Sequence, residues 1–386
     1  MRARLEQGDE DSLVNFWLYG TSFTSQPPAA ARASSVSASA LERVINDRLE
    51  DLLNRVTTPG DNERLQFARR MLAARNADPS DASGAERARR FLRDTRQRMI
   101  REFAGTEQAL AAARPGGAGA LTVANATIFR DRGLSSDTSI LSDYSVHVAL
   151  ETMAKQKTLS PGSVRRVAVV GPGLDFTNKA DGYDYYPQQT IQPFALINTL
   201  RRLELAAVDL QVTTFDINAR VNDHLRNAAS RAVSTSGYVV TLPLAGGDGW
   251  TRAVEDYWKR WGDAIGAEVA AVPAPADAGA VRTRSVRIQP AVVASIVPRD
   301  LNIVVNRLVV PADERFDLIV ATNVLVYYDV FEQALAVANI AAMLNPSGVF
   351  LANTAVLPTR PLRPTAAYLR VPHTTERYDE MFWYQR

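Results

Sequence analysis

A doubly wound, mostly parallel α/β sheet, closed by a C-terminal antiparallel hairpin and preceded by an α-helical N-terminal region, is the fold class this sequence predicts. Three observations predict it. From Val164 onward, short β-branched runs alternate with helical patterns, as strands do when helices cover both faces of their sheet. The first run, Val167 to Val170, leads at once into Gly171-Pro172-Gly173. Glycines there let the chain turn tightly and bring bare backbone against a ligand at the carboxyl end of a strand. Ahead of the Arg114–Ala120 run (RPGGAGA), the apolar residues recur at helical spacing instead. The chain divides on this reading into residues 1–120, helical with a linker, and residues 121–386, the sheet domain with its core at 164–356.

The elements follow in order. Ser12 to Phe23 is aromatic-rich and reads as an anchor to the body of the protein. Ser25 to Ala40 is a Pro/Ala/Ser linker. Leu41 to Ala113 is helical, broken at Pro59-Gly60, with Asp61 as N-cap of the next helix. Within it, Ala85 to Phe103 carries seven Arg interleaved with Glu86, Asp94 and Glu102, which reads as a solvated face. Leu121 to Phe129 reads as a short strand and Ser142 to Lys155 as a helix. After the glycine turn comes a polar, aromatic insertion, Thr177 to Pro193, then a helix, then the strand Leu210 to Phe215 ending in Asp216-Ile217-Asn218. Ala219 to Ala232 is helical, Tyr238 to Leu244 a strand, Trp250 to Ile265 a helix and Val272 to Ala280 a surface loop. Ser285 to Val310 falls into short pieces around an Asp300-Leu301-Asn302 turn. The strand Phe316 to Val320, the helix Val330 to Leu344 and the strand Val349 to Val356 complete the alternation. Tyr368 to Val371 and Met381 to Tyr384 form the hairpin.

Composition excludes several kinds of chemistry. The chain has 386 residues, is 46% hydrophobic and carries a net charge of +2, so no global field points to nucleic acid or a membrane surface. Without Cys there is no disulfide, thiolate nucleophile or thiolate metal site. His147, His224 and His373 lie far apart without ligand spacing, so no metal is expected. No apolar run approaches the ~20 residues of a membrane span. A polar segment follows Met1 and no signal peptide is visible, so a cytoplasmic protein is expected, and the Arg- and Ala-rich usage suggests a bacterial one.

Asp216 ends the second strand, where an acidic side chain either accepts both ribose hydroxyls of an adenosine ligand or caps the helix that follows. The gap from Gly173 is about twice the usual ~20 residues, an excess that the Thr177–Pro193 insertion explains. The most specific run is Phe316-Asp317-Leu318-Ile319-Val320, then Asn323-Val324-Leu325-Val326-Tyr327-Tyr328-Asp329, a helix, and Leu344-Asn345-Pro346-Ser347-Gly348. It resembles the fourth and fifth strands of class I S-adenosylmethionine-dependent methyltransferases, with their FDLI…NVL.Y and LxPGGxL patterns. FDLIVATNVLVYYD is similar to the chemotaxis-receptor branch, although Ala321-Thr322 replaces that branch's Cys-Arg. The resemblance covers about Val164 to Val356.

This resemblance implies a seven-stranded methyltransferase sheet and S-adenosylmethionine as cofactor. Gly171, Pro172 and Gly173 would lie against its methionine and ribose parts. Asp216 would hold the ribose hydroxyls, Ile217 and Asn218 would border the adenine, and Asp300 or Asn302 would face the adenine amino group. Asn323 would lie near the sulfonium methyl, with Tyr327 or Tyr328 lining the acceptor pocket. The family pattern is acidic-x-G-x-G-x-G; here Val169 takes the acidic position and Asp175 the third glycine, so Asp175 is a candidate partner for the cofactor's ammonium group. The insertion, with Tyr183, Tyr185, Tyr186 and Gln188, is a candidate lid or acceptor wall. The acceptor is a small molecule or a protein side chain, and the helical region either covers the acceptor side or builds a homodimer.

Two other readings compete. A nicotinamide-dependent oxidoreductase is disfavoured because Phe176 stands where the third glycine of G-x-G-x-x-G belongs. A non-catalytic cofactor-binding or interaction protein is compatible with the altered first turn.

Overall fold

The computed structural model describes residues 1–29, 37–117, 120, 123–124, 128–129, 132–178, 183–234, 237–243, 249–270, 283–357, 360–365 and 368–386. The chain runs through α1 (Arg2–Tyr19), α2 (Ala38–Val56), α3 (Glu63–Ala74), α4 (Ala82–Ala113) and α5 (Leu141–Lys155) before the first strand, β1 (Val164–Val170). Next come β2 (Asp175–Asn178), β3 (Tyr183–Gln189), α6 (Gln192–Arg202), β4 (Ala206–Asp216), α7 (Ala219–Ser234), β5 (Tyr238–Pro243), α8 (Arg252–Arg260), β6 (Gly266–Val269) and β7 (Thr283–Ile288). The rest is α9 (Pro290–Ala294), β8 (Ile296–Asp300), β9 (Phe316–Ala321), α10 (Val330–Met343), β10 (Leu344–Ala352), β11 (Arg363–Pro364), β12 (Leu369–Pro372) and β13 (Tyr378–Gln385).

The main sheet runs β11-β13-β10-β9-β1-β4-β8, with β12 added to β13 off this path. β8, β4, β1, β9 and β10 are parallel; β13 runs antiparallel to β10. This is the Rossmann-like methyltransferase sheet with its C-terminal antiparallel hairpin. Alternation along the strands accounts for its two covered faces. Val167 and Val169 of β1, Leu318 and Val320 of β9, and Val349 and Leu351 of β10 enter one core. Ala168 and Val170, Ile319 and Ala321, and Phe350 and Ala352 enter the other.

Several expectations need correction. Tyr238 to Pro243 is a strand but not part of the parallel sheet: β5, β7 and β6 form a separate antiparallel sheet inserted between α7 and α9. The cap of α3 is Asn62, not Asp61, because its carbonyl oxygen accepts from the amides of Arg64 and Leu65. Val123, Ala124 and Ile128 are helical, so the described part of Leu121–Phe129 is no strand. The Asn345–Gly348 turn is instead a bulged part of β10, with a register shift against β9 between Leu344 and Val349. The loop expected at Val272–Ala280 lies outside the described residues.

The N-terminal helices have their own core, built on Leu13, Phe16, Trp17, Leu49, Leu65, Phe67 and Leu92. The arginines of α4 are not simply solvated. Arg89 pairs with Glu50 and Arg96 with Glu42 on α2, while Arg98 reaches Asp11 on α1. Phe176 of β2 enters this core edge-on to Phe16 and Phe67. The described part of the insertion after the glycine turn thus docks on the helical region as the hairpin β2–β3. Asp184 accepts from the amides and hydroxyls of both Thr21 and Ser22. Arg64 of α3 is wholly buried, donates to Gln188 Oε1 and to the carbonyls of Asp175 and Tyr185, and lies 3.9 Å from the Phe176 ring centre. No described helix is long and apolar enough to cross a membrane.

Candidate functional site

A cavity lies over the carboxyl ends of β4, β1 and β9. The strand order reverses beside β1: the chain passes from β1 to β4 and β8 on one side and then crosses to β9 and β10 on the other, and open α/β sheets bind ligands at such a point. Its floor is the first turn. Gly171 and Gly173 line it with φ of 66° and 60°, where side chains are disfavoured. Space forbids them as well: a Cβ on Gly171 would meet Val324 Cγ2 at 2.5 Å, and one on Gly173 would meet Thr138 Cγ2 at 2.1 Å. Pro172 is buried between them and is not on the lining.

Asp216 reaches the cavity from the end of β4. Its Oδ1 accepts from the Asn218 amide at 2.8 Å, and the Gly173 and Ile217 amides also bond the carboxylate. Burial nevertheless pushes its pKa up to about 6, and the Asp300 carboxylate adds to the rise. Asn218 lines the cavity and also caps α7 through Oδ1, which accepts from the Arg220 amide. Ile217 lines it beside Phe215, Leu301, Ile303 and Tyr328, which together form an apolar wall. Asp300 and Asn302 are not on that wall. Residues at the strand end alternate, so Leu301 and Ile303 turn inward while Asp300 is exposed and Asn302 caps its own turn at the Val304 amide.

Asn323 follows β9 at the exposed side of the cavity, in the left-handed region at φ 59°. Asparagine tolerates that conformation, and two hydrogen bonds with Asn353 beyond β10 hold it: the Asn323 amide to Oδ1 at 2.8 Å and Asn353 Nδ2 to Asn323 Oδ1 at 2.7 Å. Asn323 Nδ2 donates to Ser142 Oγ on α5. Buried Gln333 of α10 donates to the carbonyls of Leu325 and Tyr328, clamping the same loop. Both Tyr327 and Tyr328 line the cavity; Tyr327 is half-buried, whereas Tyr328 is buried and its phenol is pushed up to about 12 by burial.

Two candidates lie elsewhere. Tyr185 is buried in the same core as Val167 and Val169 of β1 and does not line the cavity. Asp175 is also off the lining: Thr138 Oγ1 donates to it at 2.7 Å and the Ile191 amide bonds it. Burial raises it to about 7 and also raises Asp143 well above the usual carboxylate range, with the charge of Asp175 adding to the Asp143 shift. Asp175 thus belongs to the wall behind the site.

The sequence offered the helical region as a cover but named none of the covering residues. Leu134 to Ser139 lines the cavity and pairs with the first turn through the Leu174 amide to Ser136 O and the Thr138 amide to Leu174 O. Helix α1 lies over this segment. Leu5 reaches the cavity, Gly8 packs where a Cβ would sit 2.1 Å from Leu134 O, and Arg4 donates to the carbonyls of Arg132 and Tyr327. Asp9 pairs with Arg220 of α7 at 2.7 Å. Gln192, at the start of α6, and Thr322 complete the lining. The only signal for the covering segment Leu134 to Ser139 was a polar Ser-Ser-Asp-Thr-Ser run before α5.

No family model and no curated protein sequence matches the chain. Solved structures similar to it include magnesium protoporphyrin IX methyltransferase from Synechocystis PCC 6803 with bound SAM. That pair has 10% identity over 64% of this chain and 80% of that one, with a TM-score of 0.31. An O-methyltransferase from Bacillus cereus in complex with SAH has 10% identity over 73% and 91%, TM-score 0.30. A methyltransferase from Streptomyces caelestis has 10% identity over 64% and 67%, TM-score 0.26. Likeness at this distance adds nothing to the strand order, on which the fold assignment stands.

Proposed function

We propose that the chain is an S-adenosylmethionine-dependent methyltransferase, in which residues 121–386 form the catalytic domain and the helical residues 1–120 cover its cofactor cavity. One observation carries the reading: the cavity at the centre of a methyltransferase-type sheet joins a floor of bare backbone, Gly171 and Gly173, to the Asp216 carboxylate at the end of the neighbouring strand. That arrangement fits a nucleoside whose ribose hydroxyls donate to the carboxylate while its base lies on Ile217, Leu301 and Ile303.

Bound S-adenosylmethionine supplies an already activated methyl group, so positioning and exclusion of water are the protein's main tasks. The braced Asn323 loop and the Tyr327 ring border the exposed side, where the acceptor enters, while α1 and Leu134–Ser139 shield the remainder. None of the three histidines lines the cavity. The acceptor is a small molecule or a protein side chain.

Calorimetric titration with S-adenosylmethionine, S-adenosylhomocysteine and NAD tests the reading. Micromolar binding of the first two without NAD supports it; tight NAD binding alone, or no binding, rejects it. Binding also depends on pH in a defined direction. Hydroxyl donors need the ionised carboxylate, so affinity is full above the Asp216 pKa of about 6 and falls as pH drops through it. The loss approaches ~10-fold per unit until the pKa of the bound state is reached. Dissociation constants for S-adenosylhomocysteine between about pH 8 and about pH 5 check this; a flat profile removes Asp216 from the contact.

A further inference from the structure

Two residues that line the cavity carry buried side-chain oxygens with no partner in the protein. Gln192 is only 8% exposed; its Nε2 donates to Thr322 Oγ1 at 2.6 Å, and its Oε1 has no partner. Ser136, 5% exposed, also has an unmatched Oγ. Native proteins rarely leave buried polar atoms unmatched, and a bound ligand can match those that lie beside its cavity. No Lys or Arg is among the described lining residues, and Asp137 lines the cavity as well, with Oδ1 accepting from the Phe176 amide. This lining therefore suits a positively charged hydrogen-bond donor.

Topology places Thr322, and Gln192 bonded to it, relative to Asp216. Thr322 follows β9 and Asp216 ends β4, the strands on either side of β1, so two strand spacings, about 10 Å, separate them. A nucleoside with its diol at Asp216 would direct the 5′ substituent across β1 toward Gln192. Neither first-turn position of the family pattern supplies an ammonium partner in the cavity: Val169 is apolar and faces the core, and Asp175 is off the lining, bound to Thr138 and Ile191.

We infer that Gln192 Oε1 and Ser136 Oγ accept hydrogen bonds from the α-ammonium group of S-adenosylmethionine, an assignment that rests on the cofactor reading above. The role that an acidic residue of the first strand has in the family pattern passes to a neutral amide and a hydroxyl from outside that strand.

Two ligands isolate the amino group: methylthioadenosine, which lacks it, and S-adenosylthiopropylamine, the same thioether nucleoside with an aminopropyl arm and no carboxylate. Calorimetry on the full chain is expected to show the amine bound ~10-fold more tightly. Gln192→Glu, equal in size but anionic, should widen that preference by a further ~10-fold, and Ser136→Ala should narrow it to below ~3-fold, while methylthioadenosine changes little. Equal binding of the two ligands by the unaltered protein, or a preference that Gln192→Glu leaves unchanged or reduces, overturns the assignment while the cofactor reading stands. If neither nucleoside nor S-adenosylmethionine binds, both fall. A Gln192→Glu protein that failed to fold would leave the Ser136→Ala ratio to decide.

Discussion

Replacing Asp216 by Asn is expected to weaken S-adenosylhomocysteine binding by ~100-fold while leaving thermal stability equal or higher at neutral pH. The two effects have different causes. An ionised carboxylate accepts both ribose hydroxyls, and hydrogen bonds to charged groups contribute about 1.5–3 kcal/mol each. The amide of Asn keeps one acceptor for the surrounding backbone N–H groups but presents an NH2 where the second acceptor was. The stability effect follows from burial, which raises the Asp216 pKa to about 6 from the ordinary value of 3.8. A carboxyl whose pKa is raised by folding is penalised when ionised. Folding stability therefore declines as pH rises from the unfolded value to the folded one, and above it the cost is of order 3 kcal/mol. Asn removes that cost, so a site maintained for binding at the expense of stability should show opposite changes in the two measurements. Binding retained within a few-fold of the unaltered protein, by calorimetry, would remove Asp216 from the cofactor contact.

Arg64→Leu should destabilise the protein by about 3–5 kcal/mol, the largest effect expected outside the cavity. Arg64 is wholly buried and satisfies the carbonyls of Asp175 and Tyr185 as well as Gln188 Oε1. Leucine strands all three acceptors and loses the stacking on Phe176, whose ring centre lies 3.9 Å from the guanidinium carbon. Burial lowers the Arg64 pKa to about 10, which still leaves it charged at neutral pH. Lysine keeps the charge but not the fork, so Arg64→Lys should recover only part of the loss. Denaturant unfolding gives the magnitude. Hydrogen exchange locates it: protection should fall first in β2–β3, α1 and α3, because Arg64 joins the helical region to the sheet domain. Uniform loss across the main sheet would instead mean that the two parts unfold as one unit.

Detaching that joint has a consequence at the cavity. Asp175 supplies one of the carbonyls that Arg64 holds, and its side chain bonds Thr138, whose backbone amide bonds Leu174 beside Gly173. Cover and floor are thus connected through the hairpin that the sequence suggested as a lid.

The parallel sheet was legible from sequence because its signals are local. Buried β-branched runs such as Val167–Val170, the glycine pair after them, Asp216 at the end of a strand, and the Phe316–Asp329 run all lie within single elements or adjacent turns. Of these residues Gly171, Gly173 and Asp216, with Ile217, Asn218, Asn323 and Tyr327, come together in the cavity. Asp300 and Asn302 fall off the cavity lining, which Leu301 and Ile303 take instead, since the face a strand-end residue takes depends on pairing register, which one segment does not contain. Tyr185 and Asp175 were misjudged for another reason. Their polarity reads as exposure, but contacts from α3 and the Leu134–Ser139 segment bury them. Thr138, Arg64 and Gln192 are far from one another along the chain, and no periodicity links them. The central strands Val167–Val170, Leu210–Phe215, Phe316–Val320 and Val349–Val356 and the cavity-facing turn were thus legible in the sequence by itself, because burial and backbone freedom are encoded residue by residue. Ile296–Asp300, in contrast, was not read as a strand, and Tyr238–Pro243 joins a separate sheet. Only the tertiary structure decided what covers that turn and which acceptors remain unmatched beside it, because both depend on long-range packing of the helical region against the sheet.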